Sequence, residues 1–251
     1  MLVILVFDIK IDSAKYWRDC IDAIVNLVDE GAFHVQKDGI SLKAMDPSGI
    51  SMISFFIPGK AFSKFDVSSD IDVGLNIENL GKTMARARDD ESLNMKASEN
   101  KLSMIFTGKS SRKYRMPMIE VRKNADKEPN INFDATVEMN VDPFREIIKD
   151  ASLLSSYISF KVSKGHFSIE SRGDAGELEE EMEKEGDVVK KVSTSGSAEA
   201  VFNLEYLENM VKSCPSGTTL QLQLKTNEPL KLSYNIRDAS FNYFLAPYIS
   251  D

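Results

Sequence analysis

The chain has 251 residues, a formal net charge of −8 and 42% hydrophobic residues, enough for one large core or two medium ones. Its acidity excludes a general affinity for polyanions, so any nucleic-acid contact must come from a local grouping of basic side chains. Two cysteines, Cys20 and Cys214, exclude a disulfide framework and point to a reducing compartment.

The opening segment MLVILVFDIKID is apolar, but it has no basic leader and is too short to span a bilayer; it reads as a first strand. Ser13 then caps a helix whose apolar face is Trp17, Cys20, Ile21, Ile24 and Val28, with Lys15 and Arg18 off that face and Gly31 ending it. Strands are expected at 33–35, 40–45, 50–57 and 71–75, with turns at 37–39 and 46–49. A second helix has Ile77, Leu80, Met84 and Ala87 inward and Lys82, Arg86 and Arg88 outward. Strands at 93–97, 102–107 and 112–119 complete the first half. The stretch from Glu120 to Asp134 is polar and aperiodic, the composition of a linker. Beyond it, Phe144, Ile147, Ile148 and Ala151 form the apolar face of a third helix, while Arg145 and Lys149 share another face at i and i+4. Strands at 157–162 and 166–170 precede an acidic stretch from Glu177 to Glu185. Strands at 189–193 and 199–202 lead to a fourth helix with Leu204, Leu207, Met210 and Val211 inward, and strands at 220–225, 230–236 and 241–245 close the chain.

The two halves follow one plan. DVGLNIENLGKTMARA (72–87) aligns with EAVFNLEYLENMVKSC (199–214), taking Asn76 to Asn203 and Leu80 to Leu207, an offset of 203 − 76 = 127. FHVQKDGISLKA (33–44) resembles ISFKVSKGHFSIES (158–171), with Gly39 opposite Gly165, and YRMPMI (114–119) echoes YFLAPYI (243–249). A repeat of this length is a duplicated domain. The expected architecture is α+β, with domains at 1–119 and 135–251 joined by a linker at 120–134, each domain carrying two helices packed on antiparallel sheets.

Helices that bury one face on a sheet leave their polar faces exposed. Those faces carry Lys15, Arg18, Lys82, Arg86, Arg88, Arg145, Lys149 and Lys212, a grouping suited to following a phosphate backbone without reading bases. The same pattern fits ordinary solvated helices, and Asp19, Asp22, Glu146, Glu205 and Glu208 dilute it. Two further segments have opposite charge: Arg112, Lys113, Tyr114 and Arg115 on one, and Glu177, Glu179, Glu181 and Glu183 alternating along the other. As sheet edges they would join identical chains head to tail, a contact that closes into a ring if the rotation allows; as a solvated loop the acidic run would do nothing of the kind.

LKAMDPSGISMISF (42–55), VGLNIENLGKTM (73–84), RKYRMPMI (112–119), ESRGD (170–174) and the ending YFLAPYI, in this order and spacing, resemble the DNA sliding clamps of the proliferating cell nuclear antigen type over essentially the whole chain. The resemblance implies the DNA-clamp fold and a ring of three two-domain subunits, with helices lining the hole and sheets outside. It implies a processivity factor that encircles double-stranded DNA and tethers DNA polymerase, flap endonuclease and DNA ligase through short peptide motifs. A clamp loader would open the ring, and neither catalysis, cofactor, metal nor membrane would be involved. The RKYRMPMI strand and short linker look archaeal, implying a cytoplasmic protein, or a nuclear one if the source is eukaryotic. The family's hole-lining basic positions coincide with Arg18, Lys82, Lys149 and Lys212, while Glu146 and Glu205 stand where further basic residues are common. Its partner-peptide pocket falls on Met45, Ile50, Pro229, Phe244, Leu245, Ala246 and Pro247, and the linker places Asp126, Lys127 and Glu128 where members usually have apolar residues. Two other readings stay open: a specialised subunit of a heterotrimeric, replication or checkpoint-like clamp, and an enzyme with an unrecognised site. Against the enzyme, His34 and His166 are not repeat-equivalent, no zinc or nucleophile spacing appears, no glycine loop cradles phosphate, and Asp46 reads as a turn former.

Overall fold

Ser13 accepts the Tyr16 N–H at 3.2 Å and so starts helix α1 (Ala14–Val25), which follows strand β1 (Leu5–Ile11). The helix stops well before Gly31: Asn26 is its C-cap, and Gly31 lies inside the next strand, β2 (Glu30–Gln36). A Cβ on Gly31 would come 2.9 Å from Leu42 Cδ1, so this glycine serves close packing rather than helix termination. The structure, a computed structural model, describes residues 5–98, 100–121, 125, 127–182 and 186–249. The chain forms two units. One comprises Met1–Pro47, Ile53–Lys127 and Ile236–Phe241, the other Ser48–Met52, Glu128–Asn235 and Asn242–Asp251.

The first half continues through β3 (Gly39–Met45), β4 (Ser51–Pro58), β5 (Lys64–Val67), β6 (Ile71–Asn76), α2 (Ile77–Met84), β7 (Ser92–Ser98), β8 (Lys101–Thr107) and β9 (Ser111–Pro117). One sheet has the order β5-β1-β7-β8-β9, and β4, β3, β2 and β6 are neighbours in another. Strand β5 has no counterpart in the sequence-based expectation, because KFDV is short and half-exposed. The core of this unit collects Phe7 and Met95 from the first sheet, Phe33 and Val73 from the second, Trp17 from α1 and Leu80 from α2 around a small apolar cavity. Strand β6 is followed closely by residue 119, whose N–H donates to the Gly74 carbonyl at 2.9 Å. Any side chain at Gly74 would collide with the Ile119 carbonyl.

The second half runs β10 (Ala135–Asn140), α3 (Val141–Ser152), β11 (Tyr157–Ser163), β12 (His166–Gly173), β13 (Gly176–Met182), β14 (Val189–Thr194), β15 (Ala198–Asn203), α4 (Leu204–Val211), β16 (Thr219–Leu224), β17 (Leu230–Ile236) and β18 (Ala239–Leu245). One sheet has the order β13-β12-β11-β15, and β14, β10, β16, β17 and β18 are neighbours in another. Strand β10 lies just beyond the linker and was also not expected, although Ala135, Val137 and Met139 alternate inward. The acidic stretch is a strand as far as Met182: Glu177, Glu179 and Glu181 are the exposed parity of β13. Phe160 packs against Phe144, Phe167 and Phe202 and joins α3 to this sheet.

The duplication extends to individual hydrogen bonds. Ala14 N–H donates to the Glu91 carbonyl at 2.8 Å and Val141 N–H to that of Thr218 at 2.9 Å; Ile77 N–H donates to Asp29 at 2.8 Å and Leu204 N–H to Ser156 at 2.9 Å. Donors and acceptors alike are shifted by 141 − 14 = 127 residues. Asn76 and Asn203, the N-caps of α2 and α4, accept from Asn79 N–H at 2.8 Å and Glu205 N–H at 2.9 Å.

Candidate functional site

Each helix pair packs its apolar stripe inward, so Lys15, Arg18, Lys82, Arg145 and Lys149 fall on exposed or half-exposed positions of α1, α2 and α3. Arg86 and Arg88, expected on the second helix, instead lie past the end of α2 at Met84, and Lys212 is the C-cap of α4. They divide into two kinds. Arg18 donates from its Nη1 to the Ala87 carbonyl, just past the end of α2, at 3.2 Å. Arg145 donates to the Val211 carbonyl from Nε at 3.1 Å and from Nη2 at 2.6 Å, and to the Cys214 carbonyl beyond the end of α4. Arg145 also pairs with Asp142 at 3.2 Å. The two arginines are repeat-equivalent, and so are Ala87 and Cys214. The last carbonyls of a helix lack intrahelical donors and carry the negative end of its dipole, so a guanidinium fork from the neighbouring helix is well matched to them. Both arginines are only about a fifth exposed. Within the chain their donors go to protein oxygens: the Ala87, Val211 and Cys214 carbonyls and the Asp142 carboxylate.

The lysines behave differently. Lys82 pairs with Glu78 at 2.5 Å, Lys149 with Glu146 at 2.8 Å and Lys15 with Asp19 at 2.6 Å. In the first two pairs every partner is 60–68% exposed. Such surface pairs contribute about 0–1 kcal/mol each and are screened by salt, so these ammonium groups can exchange a carboxylate for a phosphate at little cost. Lys212 is exposed, and with Arg145, Lys149 and Glu208 it lines a cleft of about 150 Å³ between α3 and α4. Arg86 is exposed, and Arg88 lies 3.9 Å from Glu91. The diluting carboxylates are not equivalent to one another: burial pushes the Asp22 carboxyl up, against the pull of Arg18.

The two oppositely charged strands are sheet edges, β9 in the first unit and β13 in the second. On β9, Lys113 and Arg115 are exposed, whereas Arg112 and Tyr114 lie on the half-buried parity. Tyr114 meets Phe106 edge-on, with ring centroids 5.7 Å apart. The Arg112 guanidinium sits over the Phe106 ring and bonds to Glu91. Arg112 thus uses its guanidinium within its own chain, while Lys113 and Arg115 stand exposed. On β13, the Glu177, Glu179 and Glu181 side chains share a face with residues of β12, where Arg172 lies 3.5 Å from Glu177 and His166 3.5 Å from Glu181. Glu183 lies outside the described residues, as does Asp126 of the linker.

Of the expected peptide-pocket residues, Met45 is half-buried at the end of β3 in the first unit. The others belong to the second unit. Ile50 is 41% exposed, and its carbonyl accepts the Ala246 N–H at 2.9 Å. Pro229, Ala246 and Pro247 are half-buried, while Phe244 and Leu245 are buried core residues. Lys231 lies over the Phe244 ring and 3.4 Å from Glu128 of the linker, which also accepts from Asn242 Nδ2 at 3.4 Å.

Among the described residues, no group of three or more His, Cys, Asp or Glu side chains could hold a metal. His34 pairs with Asp72 across β2 and β6. Burial pushes both thiols up, Cys214 to about 12 and Cys20 further, so neither is nucleophilic near neutral pH. Among the described residues, no helix is long and apolar enough to cross a membrane.

Residues 6–128 match the model of the proliferating cell nuclear antigen N-terminal domain, and residues 127–249 that of its C-terminal domain. The chain is 31% identical over 247 residues to the DNA polymerase sliding clamp of Thermococcus fumicolans, covering 98% of this chain and 99% of that protein. It is 28% identical over 237 residues to the clamp of Thermofilum pendens, covering 94% and 96%. In fold it is similar to the crystal structure of PCNA from Thermococcus kodakaraensis, with a TM-score of 0.91 at 23% identity over 96% of this chain and all of that one. It is also similar to a structure of A. fulgidus PCNA with the C-terminal region of FEN-1 bound, with a TM-score of 0.88 at 23% identity over 98% and 99% of the two chains.

Proposed function

Because the chain belongs to the proliferating cell nuclear antigen family of DNA polymerase sliding clamps, we propose that three copies close around duplex DNA and tether a polymerase and other replication and repair proteins to it. This family works as a scaffold, not as an enzyme. The observation that carries the reading is the contrast between the committed arginines and the exchangeable lysines. Arg18 and Arg145 fasten each helix pair into a plank, and Lys82, Lys149 and Lys212 stand exposed on it. Cations held only by weak surface pairs can touch successive phosphates without fixing on any base, which is what lets a bound protein slide.

The exposed Ile50 and the half-buried Ala246 and Pro247 beside it are the part of the expected peptide pocket that a partner can reach, and the FEN-1 segment held by the A. fulgidus relative supports a peptide as the ligand. Phe244 and Leu245 are its floor rather than its surface. We read 1–119 and 135–251 as the two domains, the assembly as a homotrimer, and the site of action as the cytoplasm of an archaeal-like cell.

Retention on DNA tests encirclement. After loading by its clamp loader, the protein stays on a closed circle and leaves once the circle is linearised. Equal retention on circular and linear DNA rules encirclement out.

A further inference from the structure

Glu91 is 1% exposed and is the one acidic side chain among the described residues that is buried to this degree. Its surroundings join four parts of the first unit. Its carbonyl holds the first N–H of α1 through Ala14. Its Oε2 accepts the Arg88 N–H, beyond the end of α2, at 3.0 Å and the Arg112 Nη2 of β9 at 2.5 Å. Its Cγ fills the space over Gly108, in the turn between β8 and β9, where a Cβ would come 2.9 Å away. Arg112 also donates to the Arg86 carbonyl at 3.0 Å.

The duplication supplies an internal control. In the second unit Thr218 stands at the repeat-equivalent position, and its carbonyl holds the first N–H of α3 as that of Glu91 holds α1. Anchoring the helix therefore needs no carboxylate. A buried charge is costly unless paired, and the pairing here leaves Glu91 Oε1 and Arg112 Nε buried without hydrogen-bond partners. What the carboxylate adds in the first copy alone is a hold on the Arg88 N–H and, through Arg112, a tie from there to β9, the basic edge.

We propose that Glu91 and Arg112 form an inward tie that sets the position of β9 for self-association, so that Arg112 is a positioning residue and the charges offered to the next copy are those of Lys113 and Arg115. This rests on the proposed ring and on the reading of β9 and β13 as its joining edges. Side-chain parity agrees: Lys113 and Arg115 are the exposed parity of β9, and Glu177, Glu179 and Glu181 that of β13. Paired edge to edge, the two strands bring these opposite charges onto one face of a continuous sheet. The tie also connects the end of α2, which bears DNA-facing residues, to the edge where the ring would open.

The test is a dilution series followed by sedimentation velocity on the full chain, with far-UV circular dichroism to confirm folded monomers. Arg112→Met and the milder Glu91→Gln each weaken self-association at least tenfold. The double variant Glu91→Leu/Arg112→Met removes both charges together and recovers assembly to within about threefold of the parent, because an apolar pair can replace a buried ion pair without leaving a lone charge. If Arg112→Met weakens assembly and the double variant does not recover it, Arg112 is a direct docking contact and the tie is refuted. If both single variants assemble normally while Lys113→Glu/Arg115→Glu dissociates, the edge stands and the tie alone fails. If Lys113→Glu/Arg115→Glu also leaves assembly intact, the edge reading falls and takes the tie with it.

Discussion

Arg145→Ala removes a guanidinium that donates to the Val211 and Cys214 carbonyls, at the end of α4, and pairs with Asp142. A hydrogen bond to a charged group contributes about 1.5–3 kcal/mol. Since the site is partly open, water recovers some of that loss, leaving roughly 3 kcal/mol for the multiple contacts of Arg145. Arg18→Ala deletes one hydrogen bond, to Ala87, and a 3.6 Å ion pair with Asp19, and costs about 1.5 kcal/mol by the same reasoning. Hydrogen exchange read by mass spectrometry isolates the effect from DNA binding and from assembly. At about 1.4 kcal/mol per tenfold, protection of residues 204–214 falls by roughly a hundredfold in Arg145→Ala, and that of residues 77–87 by roughly tenfold in Arg18→Ala. The reasoning is refuted if exchange at 204–214 changes by less than threefold while DNA retention becomes less salt-sensitive, for then the guanidinium serves phosphate and not the helix end.

Lys149→Ala and Lys212→Ala should leave that protection unchanged, and each should lower the slope of log affinity against log salt by about 0.9 per lost phosphate contact, measured on loaded circles; an unchanged slope removes that residue from the DNA surface. Ile50→Ala, at an exposed position, should keep stability within about 0.5 kcal/mol while weakening a partner's terminal peptide in calorimetry. Phe244→Ala instead truncates a buried ring and should cost about 3–5 kcal/mol, so normal thermal stability of that variant would contradict its place in the core. Asp8 gives a pH prediction. Burial pushes its carboxyl up, but hydrogen bonds from Lys64, Asn94 and Lys96 outweigh this and hold it at about 2 against an ordinary 3.8. A depressed carboxylate stabilises above its unfolded value and loses that contribution as pH falls through the folded one. Acid unfolding of the parent between pH 4 and 2 should therefore steepen relative to Asp8→Asn; identical acid profiles would refute the assignment.

The helices were legible because burial on a sheet enforces a period: Trp17, Cys20, Ile21 and Ile24 repeat on one face and are all buried. Their ends were less so. Leu27 and Val28 are apolar and buried beyond the α1 C-cap at Asn26, which hides the stop from any periodicity count. Strand β5 stayed hidden for the opposite reason, since Phe65 and Val67 are only half-buried. For the candidate site, helical periodicity places Arg18 and Arg145 off the core face, strand alternation puts Arg112 on the half-buried parity of β9 with Tyr114, and neither goes further. Whether a guanidinium reaches water, a neighbouring helix end or a buried carboxylate depends on tertiary distances that spacing does not encode. One signal was present in the sequence: Arg18 and Arg145 share the 127-residue offset, as do Ala87 and Cys214, so a paired structural role could have been asked for.

Trp17 is packed among Phe33, Phe55 and Phe62, with ring centroids 6.1–6.2 Å away, and it is the only tryptophan in the chain. Intrinsic emission excited at the red edge is therefore a private reporter of the first unit, blind to the second. Denaturation curves followed by that emission and by ellipticity will coincide if the two halves melt as one cooperative block and will separate if either lets go first.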